Sequence, residues 1–392
     1  MRILLTTQPA YGHFRPLLPV ARALLARGHD VRVATSGLFG SVVVEHGLFA
    51  IPAGLEWLES DKSTIPDELR APPDSTLETY FAHQFVRMTA RRLAEDVIAH
   101  AGEWTPDVIV RESTEFGGAL AAEMIGVPVA TIQVASPSLI APAVLAAVEP
   151  VLNGVRVGLG LPVDRHLARL QATPVLCFAP PALHDPTVPL APNFSSFRLE
   201  PYREEPTLSS PLRELGTVRP LVYATLGTVF NNPAYELPFF PAVLEALGEE
   251  DVDVLVALGP GADPASLGPH PENVHVAAYV PQRAVLARSS VVICHGGYGT
   301  VLDAVDAAVP LIVAPFGADQ HINGASVERL GIGRVIAEDA LTANVLRGEV
   351  HTLLEDPVWQ TTITDLRDAW HALPGPAAAA ALVEQISRSI DQ

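Results

Sequence analysis

The sequence predicts an α/β protein of two doubly wound, Rossmann-like parallel-sheet domains facing each other across a cleft. Three observations carry that expectation. Short apolar runs alternate with segments of helical periodicity in both halves, the βαβ order that builds a parallel sheet with ligand sites at the carboxyl ends of its strands. A proline-crowded stretch separates the halves. The chain has 392 residues, too many for one typical domain and comfortable for two.

In the first half, residues 3–5 read as a buried strand, and 16–27 as a helix with Leu17, Val20 and Leu24 on one face. Residues 30–34 form the next strand, 78–100 carry a long helical pattern, and 107–110 and 127–132 read as strands. From 180 to 219 the pattern dissolves among prolines, a linker composition. Strands resume at 221–225, 252–258, 274–277, 291–294 and 311–314. An amphipathic helix over 377–390 follows the breaker Pro374-Gly375-Pro376. The expected division is therefore 1–205, 206–375 and a closing helix in 376–392.

Composition excludes several classes. Nearly half of the chain, 48%, is hydrophobic, and the formal net charge is −19. Nucleic acids and anionic membranes need basic surface, so neither is an expected partner. The two cysteines, Cys177 and Cys294, lie in apolar strand-like runs and read as reduced core thiols. The apolar run at the start of the chain is too short for a signal peptide, and no run reaches the roughly 18 apolar residues that span a bilayer. A cytoplasmic location is expected. The oligomeric state is open, a homodimer being one expectation.

Chemistry concentrates in Cys294-His295-Gly296-Gly297-Tyr298-Gly299-Thr300. A buried strand, a turn almost without side chains and a helix start form a phosphate cradle, because N–H groups and the helix dipole point at the anion. His295 adds a donor at its mouth. Thr228, beside Gly227 after the strand 221–225, is placed to reach a phosphate oxygen or to serve as a turn residue. In Tyr279-Val280-Pro281-Gln282 the ring suits stacking on a nucleobase and the Val280 backbone its edge, although an aromatic at a strand end is more often core. Asp319 and Gln320 follow another strand and suit either sugar hydroxyls or a helix N-cap. Asp251-Val252-Asp253 imitates a metal motif but leads straight into an apolar strand, and reads as strand entry. No spacing elsewhere suits a metal.

In the first half, His13 follows the first strand, where a neutral imidazole could take a proton from a hydroxyl or simply cap a helix. A base histidine needs an orienting acid. Glu112, after the strand 107–110, is the best candidate, with Ser113, Glu115 and Asp107 as competitors. Trp57, Phe81, Phe85 and Met88 could line an apolar acceptor pocket with the stretch 136–150, or be ordinary core. Residues 55–73 read as a loop.

Together, the order and spacing of these motifs resemble the inverting GT-B glycosyltransferases of family 1, in particular the actinobacterial natural-product branch. The likeness spans nearly the whole chain. Residues 219–231 resemble that branch's strand and phosphate loop, 279–282 its base-binding turn, and 295–323 its donor signature. The resemblance implies a GT-B fold and a transfer of a sugar from a dTDP- or UDP-sugar to a hydroxyl of an apolar aglycone. His13 would be the base and Glu112 the orienting acid, a place usually filled by Asp. Thr228, His295, Gly296, Gly297, Gly299 and Thr300 would hold the diphosphate. Tyr279, Val280 and Gln282 would take the base, and Asp319 and Gln320 the donor sugar. The closing helix would cross back onto the N-terminal domain. The nucleotide-sugar is a co-substrate, and no cofactor or metal is implied. One place departs from the pattern. Asp303 stands where the family usually has Glu on the ribose hydroxyls, and the shorter acid hints at dTDP over UDP. Two alternatives remain: a nucleotide-sugar hydrolase or epimerase of the same fold, and a non-catalytic helper of a partner transferase.

Overall fold

A computed structural model describes residues 1–72, 74–139, 141–200, 208, 210–230 and 237–388. The chain divides into two compact units. The first comprises Met1–Ala179, Pro186–Glu200 and Leu373–Gln392; the second comprises Pro180–Asp185 and Pro201–Ala372.

The first unit carries seven strands: β1 (Arg2–Thr6), β2 (Asp30–Thr35), β3 (Phe49–Pro52), β4 (Val108–Glu112), β5 (Val129–Gln133), β6 (Val175–Cys177) and β7 (Phe194–Ser196). They form one sheet in the order β3-β2-β1-β4-β5-β6-β7, and every pairing is parallel. β4 is buried along its whole length, as expected for a parallel strand covered on both faces. The helix Leu18–Ala26 begins with a proline in its first turn and buries Leu18, Val20, Ala21 and Leu24. The closing helix Pro376–Arg388 belongs to this unit and buries Ala379, Ala380 and Val383. Glu384 beside them takes Arg27 at 2.6 Å and His29 at 2.7 Å, so a carboxylate pins the helix to the segment ahead of β2.

The second unit repeats the plan with β8 (Leu221–Thr225), β9 (Asp253–Ala257), β10 (Val274–Ala277), β11 (Val291–Cys294), β12 (Leu311–Val313) and β13 (Gly333–Val335). The order is β10-β9-β8-β11-β12-β13, again wholly parallel. Its core gathers Val222, Ala224, Val254, Val256, Ile293 and Ile312 from the strands with Phe239 and Val243 from a covering helix.

Both sheets reverse direction of winding at one place: between β1 and β4 in the first, between β8 and β11 in the second. Open α/β sheets bind ligands at this switch point, because the loops diverge there and leave a crevice at the strand ends. His13 and Glu112 flank the first switch point, and Thr228 and His295 the second.

Several sequence expectations need correcting. The strand expected over 107–110 runs from Val108 to Glu112, so Glu112 ends the strand and does not follow it. Arg111 and Glu112 look like a strand's end in sequence, yet both are buried and hydrogen-bonded. The helix expected over 78–100 is three pieces: Leu77–Phe81, a π-helical stretch Ala82–Arg87, and Ala90–Ala101. A wider i→i+5 bond, Met88 N–H to the His83 carbonyl at 3.0 Å, interrupts the regular ladder. The strands β3, β7 and β13 were not expected, whereas β6 falls on the strand-like run around Cys177. β7 lies inside the expected linker, whose residues 201–207 and 209 are outside the described ones.

Candidate functional site

In the first unit, the chain leaves β1 through Thr7 and Gln8 into the short helix Tyr11–Phe14, which carries His13. His13 Nδ1 lies 3.0 Å from Glu112 Oε1. Glu112 is wholly buried, and its carboxylate accepts from the Thr114 N–H at 2.5 Å, the Thr114 hydroxyl at 2.7 Å and the Gln8 N–H at 3.4 Å. These donors replace the water that a buried carboxylate would otherwise miss.

Glu112 alone among the four acid or hydroxyl candidates reaches His13. Glu115 is buried at the start of the helix Gly117–Ile125, where it accepts from Thr6 at 2.5 Å and from the Gly118 N–H at 2.9 Å. Burial raises its carboxyl to about 7. Asp107 takes the Arg2 N–H at the opposite end of the strand, and the Ser113 hydroxyl takes the Val134 N–H.

A second carboxylate, absent from the sequence expectations, faces His13. Glu59 Oε2 lies 3.2 Å from Nε2. Burial works against a charged imidazole, but Glu59 and Glu112 together outweigh it and hold the ring's pKa well above its ordinary value. Nothing local marks Glu59, a loop acid far from His13 in sequence.

Of the expected acceptor-pocket residues, Trp57 and Met88 pack with Ile65 in a small satellite core. Phe81 meets Phe85 edge-on, with centroids 5.1 Å apart, and Phe85 meets the His13 ring at 5.6 Å. Phe85 is thus the one of the four in recorded ring contact with His13. All four are buried.

In the second unit, β11 delivers His295 into the glycine turn. Gly296 has φ +87°, and a Cβ there would stand 2.6 Å from Val313 Cγ1. A Cβ on Gly297 would stand 2.5 Å from His295 Nε2. The turn is therefore glycine for want of space as well as for backbone freedom. Gly297 caps the helix Tyr298–Asp306, and its carbonyl takes the Thr300 and Val301 N–H groups. Gly299 is exposed and Thr300 buried. Across the switch point, Gly227 donates its N–H to the Thr225 hydroxyl at 3.1 Å, and Thr228 follows, half-buried.

His295 is 8% exposed, and its Nδ1 is a buried polar atom with no hydrogen-bond partner among the described residues. Burial lowers its pKa to about 4, so at neutral pH the ring is uncharged. A buried ring nitrogen left without a partner is costly unless a ligand completes it. An anion at the helix start is one such ligand.

The remaining expected residues surround this turn. Tyr279 is 65% exposed, as a stacking platform requires, while Val280 is buried. Gln282 opens a short helix, Gln282–Leu286, and donates to Asp303 at 2.6 Å. Thr300 approaches the other end of the Gln282 amide at 3.5 Å. Arg283 lies 3.5 Å from Asp303 and also pairs with Asp306. Asp319 stands at the N-cap of the helix Gln320–Arg329 without capping it through its side chain. Asn323 donates to Asp319 at 3.0 Å and to the Gly296 carbonyl at 2.9 Å, tying the acid to the glycine turn. Gln320 is buried, and its Oε1 accepts from the Phe316 and Gly317 N–H groups. Ala318, just before Asp319, holds a left-handed φ of +51°, a local strain of the kind found beside ligand sites.

Asp253, in the sequence that imitates a metal motif, opens β9 and takes the Gly216 N–H and Arg219. Among the described residues, no group of three or more His, Cys, Asp or Glu side chains could hold a metal ion, and no helix is long and apolar enough to cross a membrane.

Residues 22–146 match the family described as "Erythromycin biosynthesis protein CIII-like, N-terminal domain", and 241–386 match its C-terminal domain. The chain is 31% identical to the tylactone mycaminosyltransferase of Streptomyces fradiae over 99% of this chain and 92% of that protein. It is also 31% identical to the elloramycin glycosyltransferase of Streptomyces olivaceus, over 97% and 96%. Among solved structures, the glycosyltransferase SnogD from Streptomyces nogalater superposes with a TM-score of 0.78 at 27% identity, over 99% of each chain. The glycosyltransferase VinC, solved with dTDP, shares the fold at a TM-score of 0.81 and 22% identity, over 99% of this chain and all of the other.

Proposed function

This chain belongs to the erythromycin biosynthesis protein CIII-like family of antibiotic glycosyltransferases, and from that premise we propose an inverting transfer with His13 as general base. The contact that carries the proposal is His13 Nδ1 to Glu112 Oε1 at 3.0 Å, at the switch point of the first sheet. With Glu112 on Nδ1, the ring presents Nε2 to an acceptor hydroxyl.

Nε2 takes the hydroxyl proton as the acceptor oxygen bonds to the anomeric carbon. The bond from that carbon to the β-phosphate oxygen breaks on the opposite face, through an oxocarbenium-like state. The diphosphate leaves with the electron pair. Its charge meets His295, Thr228, Thr300 and the N–H groups at the start of the helix Tyr298–Asp306, preorganised donors that need no metal. Tyr279 stacks on the base, Val280 and Gln282 meet its edge, and Asp319 with Gln320 takes the sugar. Phe85, against the His13 ring, and Phe81, packed on Phe85, offer apolar surface to an aglycone, with Trp57 and Met88 of the satellite core as further lining. The work is that of a cytoplasmic biosynthetic enzyme.

The donor we propose is a dTDP-deoxysugar. Relatives named for mycaminosyl and desosaminyl transfer handle deoxysugars, and VinC was solved with dTDP. Asp303 supports the same choice, since its carboxylate is taken up by Gln282 and Arg283 at the place where a ribose 2′-hydroxyl would need it.

The test is His13→Ala. Loss of a general base costs about 10²–10⁴ in turnover. Turnover should fall by that order while dTDP still raises the melting temperature as it does in the parent enzyme. Near-normal turnover removes His13 from the chemistry. A larger thermal shift with UDP than with dTDP overturns the donor assignment.

A further inference from the structure

His13 is held between two carboxylates of different kinds. Glu112, on Nδ1, is wholly buried and anchored by Thr114 and Gln8. Glu59, on Nε2, keeps 21% of its side chain exposed and belongs to the loop after β3, beside an isolated bridge between Leu58 and Asp61. The other groups facing the ring are the Thr114 hydroxyl, 3.0 Å from Nδ1, and the Phe85 ring. An imidazole that donates at both nitrogens has no lone pair with which to accept a proton. The ring is therefore poised as an imidazolium in the state described here, with the reacting nitrogen covered.

We propose that Glu59 is an acceptor-displaced gate: seated on Nε2 of His13, it blocks activation of water there until an acceptor hydroxyl takes its place, and so suppresses hydrolysis of bound donor. The inference rests on His13 being the base. The reaction held back is simple. Water would pass a proton to Nε2 as its oxygen bonds to the anomeric carbon, and the nucleotide diphosphate would leave with the electron pair of the broken bond. While Glu59 occupies Nε2, no such base exists. An incoming acceptor turns Glu59 towards solvent. The imidazolium proton leaves with that carboxyl and passes on to water, and the ring, left with Glu112 alone, is ready to accept the hydroxyl proton. Wholly buried, Glu112 stays; on a loop with 21% of its side chain open to solvent, Glu59 is the partner that can go. Glu59 is thus a positioning residue, acting through His13.

The experiment uses Glu59→Gln and Glu59→Ala in the full chain, with dTDP-glucose as donor and no acceptor. Release of dTDP should rise by about tenfold or more, inside the ~10²–10⁴ that a general base supplies. NMR titration of the histidine ring should show His13 losing its proton at lower pH in both variants, since one of the two carboxylates that favour its charge is gone. A merely structural ion pair would shift the titration in the same way and leave release unchanged. Unchanged release therefore overturns the gate and leaves His13 as base untouched. The double variant His13→Ala with Glu59→Ala separates the two ideas. It should lose the extra release; if it releases dTDP as fast as Glu59→Ala, His13 is not the base and the gate falls with it.

Discussion

Gln282 donates its side-chain N–H to Asp303 at 2.6 Å, and both residues belong to elements that frame the glycine turn of the second unit. Arg283, the next residue, reaches the same acid and also Asp306, which in turn meets His371 at 2.7 Å. The shorter acid at position 303 is thus the centre of a buried polar network.

Removing Arg283 should expose what the network costs. Its side chain is 10% exposed and that of Asp303 is 2% exposed. Breaking a buried pair from one side strands a charge, at about 3–5 kcal/mol. Arg283→Ala should therefore lower the unfolding free energy in urea by about 3 kcal/mol and weaken dTDP binding. A loss below about 0.5 kcal/mol, the range of ordinary surface substitutions, would show that the pair is solvated.

Two glycines of the turn should behave in opposite ways. Gly297→Ala puts a Cβ 2.5 Å from His295 Nε2 and must displace the ring, whereas a Cβ on Gly299 meets nothing within 4 Å. Calorimetry should show dTDP affinity falling at least about tenfold in Gly297→Ala, a loss of about 1.4 kcal/mol. Gly299→Ala should keep or raise the melting temperature, because alanine favours a helix over glycine by about 0.5–1 kcal/mol.

His295 predicts an acid-sensitive second unit. Its folded pKa, lowered to about 4 by burial, lies below the ordinary value of 6.5. Between these values the unfolded chain binds the extra proton, so stability rises with pH and is lost as pH falls from 6.5 towards about 4. Going from pH 7 to about pH 5 should cost the parent about 2 kcal/mol more than His295→Gln. Urea melts of both proteins at the two pH values measure the difference, and parallel losses would refute it.

Glu384 should govern docking of the closing helix. Its bonds to Arg27 and His29 hold the carboxyl down at about 2. The stabilisation it adds is present above the ordinary carboxyl value and is lost as pH falls through about 2. Arg27 is 42% exposed, so solvent screens part of the pair. Glu384→Gln should cost about 1–2 kcal/mol at neutral pH and speed amide exchange in Pro376–Arg388 relative to the core strands.

Local pattern alone determined the two-sheet plan, because an apolar run such as Val291–Cys294 is long enough to announce a buried strand. It also located the glycine turn, whose backbone demands show in residue type. The strands β3, β7 and β13 escaped, since three or four residues carry little periodicity and all three lie at a sheet edge. Glu112 was found as a residue but misplaced outside its strand, because a buried acid is legible only once Thr114 and Gln8 are seen to satisfy it.

What only the tertiary structure decided is which side chains meet. Glu59 on His13, Arg283 on Asp303 and Gln320 on the loop backbone are pairings of polar groups. No periodicity encodes them, for a hydrogen bond depends on ångström distances between segments that the chain brings together only after its strands have registered.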